Sequence, residues 1–161
     1  MENPLVILAR KLALRRKFDV ETTRILPLTS IHKVTVFLDS FDADADPTRR
    51  LITSFFRNYN TEVDFICPQK WDINWFGRLK KPRLHAGEKP KDADDDLFIS
   101  LAGPGNFAAE YEARCSHAKF KVGRVMLPGN VYDIVITDAP NTLPRQTESF
   151  QNIKEFLLKI K

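Results

Sequence analysis

Two rhythms of apolar residues run through the chain. Val34-Thr35-Val36-Phe37-Leu38 and Leu97-Phe98-Ile99-Ser100-Leu101 are short, nearly continuous apolar runs, as strands covered on both faces are. Ile134-Val135-Ile136 is of the same type. From Thr61 to Cys67, Val63, Phe65 and Cys67 alternate with Glu62 and Asp64, which predicts a strand with one wet face at or near a sheet edge. Helical spacing marks Leu5, Leu8 and Leu12 behind an Asn3-Pro4 opening, then Leu51, Ile52, Phe55, Phe56 and Tyr59. It returns in Asn106 to Cys115 and in Phe150, Ile153, Phe156, Leu157 and Ile160.

Strands alternating with helices predict an α/β fold, a Rossmann-like three-layer sandwich with a mostly parallel sheet of about five strands. Ala118 to Arg124 supplies the strand after the third helix. Between Arg124 and Tyr132 there are too few residues for a helical crossover, and Pro128-Gly129-Asn130 is turn chemistry. The last two strands are therefore expected as a C-terminal antiparallel hairpin, with the Ile134 strand inside and the Ala118 strand outside. That makes the runs beginning at Val34, Leu97 and Ile134 the innermost.

At 161 residues the chain suits one α/β domain over 1–161. Residues 1–19 form a basic amphipathic N-terminal helix, and 68–95 a long aromatic and basic insertion loop. The leucine stripe of that first helix is expected to pack on the sheet, the alternative being a projecting arm. No apolar run approaches the ~20 residues of a membrane span. Glu2 and the early Arg10-Lys11 argue against a signal peptide, so a cytoplasmic location is expected. Cys67 and Cys115 lie far apart and read as two reduced thiols. A net charge of +4 is mild and informs only where cations cluster, at 10–17, 78–91 and 114–124.

Gly103-Pro104-Gly105-Asn106-Phe107-Ala108 fits the G-x-G-x-x-A template between a strand and a helix, where a pyrophosphate could approach the backbone. Arg124 stands about twenty residues on, where that template wants an acid for the ribose. Asp39 and Asp42, with Asp44 and Asp46, follow a central strand, where open α/β sheets place ligands. Their spacing fits no metal template, and Asp46 before Pro47 reads as a helix cap. Asp39, Asp42, Gly103, Gly105 and Asn106 are thus the candidate ligand-binding residues.

A second candidate is a surface. Trp71, Trp75, Phe76, Arg78, Lys80 and Lys81, followed by Arg83, interleave aromatics with cations, and Lys119, Lys121 and Arg124 add charge on a strand. His32, His85 and His117 are scattered beside no recognisable nucleophile. No catalytic residue, metal or cofactor is assigned.

Three phrases carry a resemblance: Asp72-Ile73-Asn74-Trp75-Phe76-Gly77, Ser116 to Arg124, and Tyr132-Asp133-Ile134-Val135-Ile136. They resemble a bacterial domain-of-unknown-function family of small single-domain proteins with a similar basic first helix. The resemblance implies the fold and brings no activity, cofactor or catalytic residue, and the Gly-Pro-Gly loop departs from the family's pattern. The chain is more distantly similar to the N-terminal half of heptosyltransferase-type glycosyltransferases, which hold their sugar nucleotide with a second domain.

The expected function is a non-enzymatic cytoplasmic binding or accessory protein, with a protein partner, nucleic acid being possible and a membrane surface not expected. The alternatives are a reduced glycosyltransferase-like or nucleotide-binding domain, and RNA binding through the Trp loop. A concave pocket where the Asp39 and Gly103 loops converge favours the nucleotide reading. A flat aromatic and basic surface favours the binding module.

Overall fold

The computed structural model describes residues 2–15, 18, 23–40, 43–81, 95–137 and 145–160. Asp42, Arg16, Lys17 and the stretch 82–94, with Arg83 and His85, lie outside them. Strands β1 (Lys33–Phe37), β2 (Glu62–Ile66), β3 (Leu97–Ser100), β4 (Phe120–Gly123) and β5 (Ile134–Val135) form one sheet in the order β2-β1-β3-β4-β5. Every neighbouring pair is parallel. Among the described residues four helices flank it: α1 (Pro4–Leu14), α2 (Ala45–Arg57), α3 (Phe107–Cys115) and α4 (Gln146–Lys159).

The apolar runs at β1 and β3 are buried on both faces, as their lack of alternation predicts. Val34, Val36, Leu97, Ile99, Phe120 and Val122 face α2 and α4, where Ile52, Phe56, Phe150, Ile153 and Leu157 are fully buried. Each such side chain contributes about 1.5–3 kcal/mol relative to leaving it in water. Phe37, Phe98 and Ala102 face the opposite way, onto Ala108, Ala109 and Ala113 of α3. The alanines let this short helix sit close against the sheet. β2 lies at an edge with its first residue exposed, as its alternating pattern predicts.

Three expectations are corrected. β5 joins β4 in parallel, so the antiparallel hairpin does not form. Residues 124–133 carry the chain back without a helix, and Gly129 (φ 85°) and Asn130 (φ 52°) make their turn inside that crossing. The crossing is fixed by Tyr132, whose ring lies 2.5 Å from where a Cβ on Gly123 would stand. The N–H of Asp133 donates to Lys121 O and that of Ile136 to Gly123 O, each at 2.9 Å. The burial order reverses as well: β4 is inside, and β5 is the half-buried edge.

The third correction concerns α1. Its Asn3-Pro4 opening is as expected, Asn3 Oδ1 accepting from Leu5 N at 2.9 Å. It packs on α3 rather than on the sheet, through Ala13 and Leu14 against Phe107, Tyr111 and Cys115. Leu5, Leu8 and Leu12 point away, 65%, 54% and 52% exposed. A smaller change affects α2, which starts two residues earlier than Asp46 suggests. Asp44 is its N-cap, and the Asp44 carboxylate accepts from the N–H and hydroxyl of Thr147 at the start of α4.

Candidate functional site

The strand order is that of a common doubly wound sheet, whose ligands bind beyond the carboxyl ends of the strands where successive connections leave for opposite faces. Here that point lies between β1 and β3, because α2 covers one face and α3 the other. The Asp39 and Gly103 loops are the two loops concerned.

Their described residues are held in different ways. Beside β1, the side-chain amide of Gln146 accepts from Asp39 N at 2.8 Å and donates to Asp39 O at 3.0 Å. Gln146 is fully buried, so the start of α4 is tied to the end of β1. Ser40 Oγ donates to Pro68 O, tying the same loop to the end of β2. Among the described residues, no group of three or more His, Cys, Asp or Glu is placed to hold a metal ion.

Beside β3 the loop is open. Gly103, Gly105 and Asn106 line a cavity of about 210 Å³ together with Arg10, Lys11, Ser100, Glu110, Leu127 and Tyr132. Asn106 caps α3 by accepting from Ala109 N at 3.1 Å. Gly105 has φ +80°, which the turn needs, whereas Gly103 has neither positive φ nor a neighbour that an added Cβ would meet. Arg10 clips three elements together. Its Nε donates to Phe76 O at 2.7 Å, its Nη1 to Glu2 Oε1 at 2.8 Å, and its guanidinium sits over the Phe107 ring. Burial raises the pKa of the Tyr132 phenol above its ordinary value, partly offset by a hydrogen bond with Ser100. Arg10, Lys11 and Tyr132 carry no signal as site residues in the sequence, since packing of α1 and the 124–133 crossing bring them here.

The Trp loop is a built platform. Asp72 accepts from Gln69 N at 2.8 Å, Asn74 Oδ1 accepts from both Phe76 N and Arg78 N, and Ile73 bridges Leu79. Gly77 turns the chain at φ 97°. The six candidates divide across this loop. Phe76 packs inward on Phe107, and Arg78 lies 4.2 Å over the Tyr111 ring. Trp71 and Trp75 stand 71% and 67% exposed, with Lys80 and Lys81 also outward. Trp71, Lys80 and Lys81 border a groove of about 390 Å³ floored by Ile66, Pro68 and Leu79.

The cations of the β4 region are spent inside the fold. Lys119 Nζ is 2.7 Å from Asp96 Oδ1, Lys121 Nζ donates to Ala113 O at 2.7 Å, and Arg124 Nη1 donates to Leu101 O at 3.0 Å. They join strands to their neighbours and do not extend the Trp platform. Of the thiols, Cys67 is half-buried and Cys115 buried, both free. Burial, reinforced by the Glu112 charge, pushes Cys115 up to about 12.

A sequence profile described as a family of unknown function (DUF6913) matches residues 14–159. No curated protein and no solved structure matches the chain.

Proposed function

The chain belongs to this family of unknown function, and we propose that it is a non-enzymatic binding protein whose contact surface is the platform from Trp71 to Lys81. The observation that carries this reading is the pair of exposed indoles on a loop fixed by its own hydrogen bonds. Trp is among the residues most enriched at interface hot spots, and a rigid scaffold lowers the entropy lost when such a residue docks. The Trp71 groove has an apolar floor and a rim of Asp72, Lys80 and Lys81. A dry centre with charges of both signs around it suits a protein partner.

Nucleic acid ranks lower on the same geometry. A strand-tracking groove needs a run of outward cations, and Lys119, Lys121 and Arg124 are engaged within the fold. The test is affinity purification from the source cell, with wild type and Trp71→Ala/Trp75→Ala as baits. Partners retained by wild type and lost by the variant, at unchanged circular dichroism, support the reading. Identical captures from both baits overturn it.

A second reading concerns the Gly103 cavity. At about 210 Å³ it falls below the ~300–1,000 Å³ of small-molecule sites, too small for a dinucleotide. The open space above Gly103, facing Arg10 and Lys11, instead favours a small anion such as inorganic phosphate. A phosphate-dependent rise in Tm that Gly103→Val abolishes supports it, and no rise at millimolar phosphate removes it.

A further inference from the structure

We infer that α1 lays its outward leucines on an anionic lipid surface. Leu5, Leu8 and Leu12 share one face at i, i+3 and i+7, and all three are more than half exposed. Lys11 and Arg15 form the adjoining exposed row. The opposite face is occupied, with Ala13 and Leu14 on α3 and Arg10 on Phe76. The first turn of α1 holds no acid, and the nearby Glu2 is paired with Arg10. The outward side of the helix therefore offers apolar and cationic groups together, with no carboxylate of its own.

Three features select the occupant. The leucines form a ridge on a helix roughly 16 Å long, which can lie in a headgroup plane and is too short to cross a bilayer. Among the described residues of α1 and its C-cap, the charge beside the ridge is positive, which complements anionic headgroups. A second copy of the chain would bring the Lys11 and Arg15 rows into like-charge contact.

The test is cosedimentation of the full chain with phosphatidylcholine vesicles, and with phosphatidylcholine and phosphatidylglycerol in roughly two-to-one ratio. Two cations near the headgroups should make the bound fraction on the order of tenfold higher on the anionic vesicles, and added salt should release it. Leu5→Ser/Leu8→Ser/Leu12→Ser, at exposed positions, should abolish binding at unchanged circular dichroism. Lys11→Glu/Arg15→Glu should remove the preference for anionic lipid. Equal binding to both vesicle types, or binding that survives the leucine variant, overturns the inference. So does a leucine-dependent dimer in lipid-free velocity sedimentation, or leucine-dependent capture of a protein without vesicle binding. None of these outcomes depends on the Trp platform.

Discussion

Lys119 Nζ lies 2.7 Å from Asp96 Oδ1, while the other oxygen of Asp96 accepts from His32 N at 2.7 Å and Lys33 N at 3.1 Å. One carboxylate thus joins the amino ends of β1, β3 and β4. Burial opposes its charge, but the hydrogen bonds from Lys119, His32 and Lys33 prevail and hold its pKa below the ordinary carboxylate range. A pKa depressed in the folded state contributes stability above the unfolded value, about 3.9, and that contribution is lost as pH falls through the folded value. Asp96→Asn should cost about 2–4 kcal/mol at neutral pH. The deficit should shrink below about pH 4. Urea midpoints measured against pH check this, and a variant whose deficit persists undiminished in acid would contradict it.

The Tyr132 ring on Gly123 gives a second outcome. Gly123→Ala places a methyl 2.5 Å from ring carbons, so the 124–133 crossing must shift. The expected loss is about 1–3 kcal/mol. Adding Tyr132→Ala should recover part of the clash, so the double variant should lose less than the sum of the singles. Additive losses in denaturant melts would mean that the two residues do not meet.

What could be read from the chain beforehand follows from where each signal resides. The β1 and β3 runs declare themselves because burial on both faces removes every polar position. The pairing direction of β5 does not, because connection length alone cannot distinguish a turn from a tight helix-free crossing, and the deciding contact joins Gly123 to Tyr132. Lys119, Lys121 and Arg124 read as a surface on a strand because their acceptors belong to other segments: Asp96, Ala113 and Leu101. Of the cavity, the Gly103 to Asn106 loop was legible as a strand-to-helix turn. The arrival of Arg10 and the tie from Gln146 to Asp39 depend on tertiary packing alone.

The two thiols should part company on labelling. Cys115 is buried and its pKa is pushed up to about 12, leaving almost no thiolate at pH 8. Burial also raises Cys67, but it remains partly accessible. Maleimide should modify Cys67 first in the native protein and reach Cys115 only in denaturant, as located by peptide mass spectrometry. Equal labelling rates in the native protein would contradict the packing of α3.

The platform predicts an optical signature. The chain contains two tryptophans, both exposed, so acrylamide should quench its emission nearly as well as that of free indole. Trp71→Ala and Trp75→Ala should each change stability by no more than about 0.5 kcal/mol. Strongly shielded emission would mean that the loop folds back on the protein and is not presented.

α4 completes the interior on the α2 side of the sheet with Phe150, Ile153 and Leu157, and its Gln146 secures the end of the inner strand β1. On the ribosome, everything from β1 to β5 must therefore emerge before its greasy underside can be covered. A nascent chain of this protein carries an incompletely covered hydrophobic wall until α4 has been synthesised, the interval in which aggregation and chaperone capture compete with folding.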